Sequence, residues 1–266
     1  MEIAHTPTVL GVSNEVLRTP LDEAEINSKI APYWRVSVVE LTGSTQHDLL
    51  QLVESKNALD GQVIVTEYQS NGRGRLDRTF EAPARSALLF SFYIKPRRQR
   101  SEWGFIPLIA GLSLARAIST LDSEINVSLK WPNDCMINEK KCAGIIAQTS
   151  PEGIIIGIGL NVSMTADELP VPTATSLVIE SSKIFDRNLL LSNILNTFAE
   201  FFEAWEEGTE LLEEYASASS TIGKKVRIEL PGGENLEETV ARVSHTGELV
   251  LADGRHVSAG DVIHLR

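Results

Sequence analysis

The segment Gly72-Arg73-Gly74-Arg75-Leu76-Asp77-Arg78-Thr79-Phe80 interleaves glycines with three arginines in a chain whose net charge is −12. Glycine lets main-chain N–H groups approach an anion with no Cβ in the way, and a guanidinium grips phosphoryl or carboxylate oxygens through paired N–H bonds. Such a segment is suited to holding an anion, although alone it reads equally as a solvated turn. Its weight comes from two lysine-bearing motifs downstream, Lys130-Trp131-Pro132-Asn133-Asp134 and Lys141-Cys142-Ala143-Gly144-Ile145-Ile146.

Composition narrows what that anion belongs to. A chain of 266 residues, 42% hydrophobic, is long enough for one substantial core plus a small appended domain. The acidic balance argues against a general nucleic-acid binder or a membrane-surface protein, because sequence-independent contact with phosphate backbones needs a broad basic face. No apolar run approaches the roughly 18 residues of a spanning helix, and residues 1–31 lack the pattern of a leader. Cys135 and Cys142, the only cysteines, are too few for a disulfide scaffold and read as reduced thiols. The five histidines, His5, His47, His245, His256 and His264, lack zinc-type spacing, so no metal site is expected. These features point to a cytoplasmic protein.

The elements that must position the motifs follow from periodicity. Residues 1–35 read as a poorly specified lead-in with a short helix over 21–30. Alternation predicts a strand over 36–41, after which Gly43 permits a tight entry and Ser44 or Thr45 caps a helix with Leu49, Leu50 and Val53 on one face. Strands are predicted over 62–67 and 87–94, the second apolar throughout and so covered on both faces, with the basic segment between them. Phe105, Leu108, Ile109, Leu112, Ala115, Ile118 and Leu121 recur at helical spacing, as do Leu191, Ile194, Leu195, Phe198, Phe202 and Trp205; both stripes read as packing faces. Strands over 127–130, 135–137, 143–148 and 153–162 place both lysine motifs on or beside sheet edges. The five glutamates from Glu206 to Glu214 read as a solvated face, and Lys95-Pro96-Arg97-Arg98-Gln99-Arg100 as a solvated loop or a contact for an acidic partner. From residue 222 the chain turns to short strands over 226–230, 238–243, 249–251 and 262–265, separated by Pro231-Gly232-Gly233, Thr246-Gly247 and Asp253-Gly254, which suits a small SH3-like barrel.

In their order and spacing the three motifs resemble those of biotin–protein ligases, also called biotin–acetyl-CoA-carboxylase ligases. The basic segment is similar to that family's Gly-Arg-Gly-Arg-x-Gly-Arg-x-Trp signature, residues 130–134 match its Lys-Trp-Pro-Asn-Asp, and residues 141–146 match its Lys-x-x-Gly-Ile-Leu. The resemblance runs from end to end. It implies an α+β fold whose mixed sheet and packed helices are of the class II aminoacyl-tRNA synthetase/biotin ligase type, with a catalytic domain over 36–218 and the SH3-like domain over 219–266. It also implies the reaction: the biotin carboxylate attacks the α-phosphate of ATP, expelling pyrophosphate to give biotinyl-5′-AMP, and a lysine amine of an acceptor then attacks the activated carbonyl. The acceptor would be the biotin carboxyl carrier domain of an acetyl/acyl-CoA or pyruvate carboxylase, ATP would bring Mg²⁺ without a dedicated metal site, and the enzyme would be a monomer or weak homodimer. Only about 35 residues precede the first catalytic strand, so a DNA-binding module of the kind some members carry is not expected.

Carried over residue by residue, the resemblance puts Arg73 and Arg75 on the biotin carboxylate and adenylate phosphate, with Gly72 and Gly74 letting the segment fold over the intermediate and exclude water. Lys141 bridges carboxylate and α-phosphate and is the main electrostatic catalyst; Lys130 meets ATP phosphates. Asn133 and Asp134 position Mg²⁺ or the acceptor lysine, or else serve with Trp131-Pro132 as scaffold. Ser44, Thr45, Gln46 and Gln69 surround the neutral ureido ring of biotin, with Gly144 and Gly157 close by; Arg78, Phe80 and Asn161 are assigned to the nucleotide. Two other readings stand beside this one, a lipoate or octanoyl transferase and a non-catalytic biotin-binding module. The motifs depart from the signature at Asp77, where it has glycine, at Phe80, where it has tryptophan, at Gln46 and at Cys142. An acid beside a phosphate-holding segment is expected to loosen its hold on the adenylate, so Asp77→Gly should slow the dissociation of bound biotinyl-AMP; an unchanged off-rate would refute that.

Overall fold

The computed structural model describes residues 17–75, 78–181 and 183–265. Helix α1 (Glu23–Lys29) starts at Asp22, whose carboxylate accepts the Glu25 N–H as an N-cap. Strand β1 (Arg35–Val39), helix α2 (Thr45–Glu54), strands β2 (Gln62–Thr66) and β3 (Ala87–Ile94), a 3-10 turn (Arg100–Phe105) and helix α3 (Ile106–Leu121) follow. Then come β4 (Val127–Lys130), β5 (Asp134–Ile137), β6 (Lys140–Thr149) and β7 (Ile154–Asn161), with helices α4 (Leu177–Glu180), α5 (Arg187–Glu206) and α6 (Leu212–Ala218). The strands form one mixed sheet in the order β1-β2-β3-β7-β6-β5-β4, in which β1 and β2 run parallel and the remaining neighbours antiparallel.

Strand β3 shows how the sheet separates core from cleft. All of its residues are buried. Because side chains alternate along a strand, Leu88, Phe90, Phe92 and Ile94 point into the main core, where Phe92 meets Trp34 and Phe198 at ring-centroid distances of 5.4 and 4.7 Å. On the other face Tyr93 packs with Leu49 of α2, and Leu89 packs with Met164 and Phe80. Ser91 lies between these two patches. Helices α3 and α5 thus cover one face of the sheet, while the opposite face is covered only in part.

The segment Arg100–Leu121 is long and apolar enough, by length and composition, to cross a membrane, contrary to the expectation from the sequence. In this fold its apolar side chains supply the core: Ile106, Leu108, Ile109, Leu112, Leu114 and Ile118 are buried. The lead-in is also better specified than expected over its described part. Arg187 Nη1 lies 2.6 Å from Glu67 Oε2 with both side chains 2% exposed, Arg187 Nη2 donates to the Thr19 carbonyl at 2.7 Å, and Leu21 N–H donates to Glu67 Oε1 at 2.6 Å. A buried ion pair that is also hydrogen-bonded on both sides fixes geometry more than it adds net stability. Here it holds the end of β2, the start of α5 and the approach to α1 together.

The basic cluster after β3 is largely exposed, as expected of a solvated loop, and its cations are paired within the chain. Lys95 pairs with Glu152 at the protein surface, and the exposed Arg97 pairs with Glu206. Arg98 lies 4.7 Å from the Trp205 ring and bonds Glu102, and Arg100 donates to the Ser150 carbonyl. Glu206, expected on a solvated face, is the partner of Arg97 and has a side chain only 3% exposed. Cys135 and Cys142 are free and buried; contact with Cys135, then burial, pushes the Cys142 thiol up, which keeps it protonated and unreactive.

Residues beyond α6 form a second sheet from β8 (Lys225–Glu229), β9 (Asn235–Val243), β10 (Leu249–Leu251), β11 (His256–Val257) and β12 (Asp261–His264). Its order is β11-β10-β9-β8-β12, antiparallel throughout, and the described pairings leave it open rather than closed into a barrel. The two-residue β11 is too short to leave a periodic signal. Trp131 ties this sheet to the first: its indole N–H donates to the Gly247 carbonyl at 2.9 Å, and its backbone N–H to Thr221 Oγ1 at 3.2 Å. Gly247 adopts φ +85° in the turn between β9 and β10, packed so closely on Gly104 that no side chain fits there.

Candidate functional site

Because β1 and β2 are parallel, the segments that leave them emerge at the same end of the sheet, the usual location for ligands in sheets with parallel strands. They are zipped together by Ser70 N–H to the Thr42 carbonyl and Asn71 N–H to the Gly43 carbonyl, each at 2.9 Å. Ser44 takes the N-cap position of α2, yet its buried hydroxyl makes no capping bond. Thr45 and Gln69 meet directly: Gln69 Oε1 accepts from the Thr45 N–H at 2.9 Å and lies 3.2 Å from Thr45 Oγ1, which is 2.8 Å from Ser91 Oγ on β3.

The basic segment is a small hairpin. Phe80 N–H donates to the Gly72 carbonyl, Arg73 bridges to Thr79, and Gly74 N–H donates to the Arg78 carbonyl. Neither Gly72 nor Gly74 has a positive φ; Gly72 is required because the Phe80 carbonyl occupies the place of a Cβ. Leu76 and Asp77 lie outside the described residues.

Beneath the hairpin, the sheet has a floor almost bare of side chains. Pairing sets Gly144 opposite Gly159 and Gly159 opposite Leu89, and sets Ile146 opposite Gly157 and Gly157 opposite Ser91. These residues share one face. A Cβ on Gly159 would lie 2.7 to 2.9 Å from the Phe80 ring, one on Gly157 2.5 Å from Gln46 Oε1, and one on Gly144 3.2 Å from Lys141 Nζ. Each glycine therefore seats a polar or aromatic side chain of the site against bare backbone. In this structure Gly157 brings main chain close to Gln46, and Gly159 brings it close to Phe80.

Five cations line the same cleft of about 310 Å³, namely Arg73, Arg75, Arg78, Lys130 and Lys141. Lys141 Nζ is 2.5 Å from Asp134 Oδ1, an ion contact without the angles of a directed hydrogen bond. The Lys141 backbone is clamped by residues 173–175, through its N–H to Thr173 and its carbonyl from Thr175, both at 2.9 Å. Arg75 donates to Asn133 Oδ1 at 3.1 Å and lies 4.0 Å from Asp261 Oδ1. Burial draws the Arg75 pKa down, while Asp261 and Asp134 oppose that shift; a guanidinium starts so high that it stays charged regardless. Arg78, 67% exposed, pairs with Asp261. Burial, and then the nearby charge of Lys130, lower the pKa of His264 on β12, which shows how closely the second sheet approaches the cleft.

Residues 38–163 match the family model of the biotin/lipoate A/B protein ligases. The chain is 36% identical to a biotin–[acetyl-CoA-carboxylase] ligase of Mycobacterium tuberculosis over 261 residues, spanning 94% of this chain and 98% of that protein. It is 30% identical to the bifunctional ligase/repressor BirA of Bacillus subtilis over 169 residues, 60% of this chain and 50% of that one. The chain belongs to the biotin protein ligase family. The solved biotin protein ligase of Aquifex aeolicus, in complex with biotin and ATP, superposes with a TM-score of 0.74 at 28% identity and covers 87% of this chain and 98% of its own.

Set against that family's motifs, the structure gathers Ser44, Thr45, Gln46, Gln69, Arg73, Gly74, Arg75, Arg78, Phe80, Lys130, Asn133, Asp134, Lys141, Gly144 and Gly157 around one cleft. Gly72 supports the base of the hairpin from just outside it. Asn161 is not at the cleft: buried, it donates through Nδ2 to the Thr175 carbonyl at 2.9 Å, and so steadies the segment that clamps Lys141. Asn133, with its Nδ2 on the Ile145 carbonyl and its carbonyl accepting the Ile145 N–H, acts as scaffold for Arg75. Lys141 sits at the start of an inner strand rather than at a sheet edge. Ser91, Glu229 and Asp261 also line the cleft, beyond the residues expected there. Ser91 has a signal in the sequence, as the one small hydroxyl within an apolar strand; Asp261 has none, because only the fold brings it to Arg78.

The glycine floor makes a graded prediction. At Gly157 an added methyl meets Gln46 Oε1, Ile146 and Ser91 together, whereas at Gly159 it meets only the edge of one ring. Gly157→Ala should therefore lower the unfolding free energy by about 1–3 kcal/mol, as overpacking does, and Gly159→Ala by less. Denaturant titration of both variants checks this, and the reverse order would contradict it.

Proposed function

We propose that the protein is an ATP-dependent biotin protein ligase that forms biotinyl-5′-AMP and transfers biotin to a lysine of a carboxyl carrier domain. The observation that carries this reading is the convergence of Arg73, Arg75, Lys130 and Lys141 on one cleft whose other end, at Thr45, Gln46 and Gln69, is polar but uncharged. A carboxylate and a triphosphate repel, and fixed cations reduce that repulsion as negative charge redistributes on the phosphate in the transition state. A neutral, hydrogen-bonding ring such as a urea matches the other end.

In the first step a biotin carboxylate oxygen bonds to the α-phosphorus while the bond to pyrophosphate breaks. Lys141, held by Asp134 over the bare backbone of Gly144, is placed to neutralise both anions; Arg73 and Arg75 hold the carboxylate and the bridging phosphate. Lys130 meets the outgoing phosphates, and Phe80 offers a ring face to the nucleoside. Arg78 exchanges Asp261 for phosphate in this reading. In the second step the acceptor amine attacks the acyl carbon, the C–O bond to phosphate breaks and AMP leaves. The donor set fits Mg²⁺ carried by the nucleotide: Mg²⁺ typically takes one or two carboxylates plus substrate phosphates, and Asp134 is positioned to be one. Bound there, the ion would screen phosphate charge.

The same reading assigns residues 36–218 to the catalytic unit and 219–266 to an SH3-like unit that covers the cleft through Asp261 and Glu229. It assigns the protein to the cytoplasm, with acetyl/acyl-CoA or pyruvate carboxylase carrier domains as acceptors; the two unpaired cysteines are in keeping with a reducing compartment. Incubation with ATP, Mg²⁺, labelled biotin and a carboxyl carrier domain should label the carrier, and Lys141→Ala should slow labelling by about 10²-fold or more, the scale of losing one preorganised charge in an active site. No label on the carrier, or full labelling with labelled lipoate in place of biotin, would overturn the proposal.

A further inference from the structure

Three carboxylates line the cleft among the described residues: Asp134, Glu229 and Asp261. Asp134 faces Lys141, and Asp261 faces Arg78 and Arg75. Glu229, exposed at the end of β8, has no ion-pair partner among the described residues. Strand pairing sets Glu229 directly opposite Asp261, so both side chains project from one face of the second sheet, where like charges repel unless a cation meets them. Arg78 and Arg75 compensate Asp261, and the charge of Glu229 is left over.

A free carboxylate repels both a triphosphate and a carboxylic acid anion, so it serves neither substrate of the first step. Two cations take part in the reaction, Mg²⁺ and the ammonium of the acceptor's lysine. Mg²⁺ arrives on the phosphates, and beside Arg75 and Arg78 a divalent ion is repelled about twice as strongly as an ammonium. The ammonium, in turn, must approach a cleft lined by five cations that oppose it. Ile263, two residues beyond Asp261 on β12 and so on the same face, also lines the cleft and is 37% exposed. An apolar surface beside a carboxylate matches the two parts of a lysine side chain, its methylene stem and its charged head. Glu229 is also open to a second approach: with Arg75, Arg78 and Asp261 it lines an adjoining cavity of about 480 Å³ that reaches Leu230 and Pro231.

We propose that Glu229, with Ile263 beside it, recognises the acceptor's lysine side chain, holding its ammonium at the rim of the cleft before the amine reaches the acyl carbon. This rests on the biotin ligase reading and gives the second sheet a part in the second step. Capture at the rim forms and breaks no covalent bond. It offsets the repulsion between the cleft and a cationic acceptor, and a charge at the edge of an interface acts mainly on the rate of encounter and on its salt dependence.

The test separates the two steps in the full chain, comparing wild type with Glu229→Gln and Glu229→Asp. Biotin-dependent exchange of labelled pyrophosphate into ATP needs no acceptor and should be unchanged in both variants. Protein preloaded with biotinyl-AMP should pass biotin to hydroxylamine, a small nucleophile uncharged at neutral pH, at the wild-type rate. With a carboxyl carrier domain, Glu229→Gln should lower kcat/KM about two- to fivefold, the scale of one exposed ion pair. The loss should lie in KM rather than kcat and be accompanied by a weaker dependence on salt. Glu229→Asp, which keeps the charge, should restore most of it. Unchanged transfer to the carrier in Glu229→Gln, or an equal fall with hydroxylamine, overturns the assignment. Exchange that falls in Glu229→Gln and recovers with added Mg²⁺ overturns it as well, by moving Glu229 to the metal; each of these results leaves the ligase reading in place. A wild type that neither exchanges pyrophosphate nor labels the carrier overturns both.

Discussion

Electrostatic repulsion between two anionic substrates is the constraint around which this site is arranged. Two unit charges about 4 Å apart interact by about 4 kcal/mol at an effective dielectric constant near 20, enough to keep a carboxylate from a triphosphate unless fixed cations lie between them. The chain is acidic overall, and it places five cations around one cleft. Each is also held. Asp134 steadies Lys141, Asn133 and Asp261 steady Arg75, and Asp261 pairs with Arg78. Preorganised charge of this kind need not reorient during reaction, which is the source of its catalytic effect.

Preorganisation in turn depends on packing beneath the charges. The face of β7 and β6 that carries Gly144, Gly157 and Gly159 is bare at those positions, and Lys141, Gln46 and Phe80 lie against it. The opposite face of the same sheet is buried under α3 and α5, so the floor cannot shift without disturbing the core. The two-residue step of strand geometry thus connects an aromatic core around Phe92 and Phe198 to a polar cleft one side chain away. Trp131 performs a similar join at the rim, where its indole bonds the turn at Gly247 and fixes the second sheet beside Lys130.

Much of this arrangement is legible in the amino-acid sequence through periodicity. Strand β3 and the helix over Ile106–Leu121 are readable because long, uninterrupted apolar patterns leave few alternatives, and the three motifs place Arg73, Arg75, Lys130 and Lys141 at one site. What escapes such a reading are features created by contacts remote in sequence. Asp261 meets Arg78 across 183 positions, and Glu206 meets Arg97 across 109. Asn161 resembles a ligand residue because it ends a glycine-bearing strand, but its amide is directed to Thr175, which no local pattern encodes. The open form of the second sheet escapes for a similar reason: hairpin turns announce strands, while closure depends on pairing between the first and last of them.

The most direct test of the electrostatic account is biotin-dependent exchange of labelled pyrophosphate into ATP, which reports the first step without an acceptor protein. The account predicts exchange with biotin and none with lipoate, and a fall of about 10²-fold or more in Arg75→Gln, whose side chain keeps its hydrogen-bonding ability but loses its charge. Exchange at the wild-type rate in Arg75→Gln would contradict it.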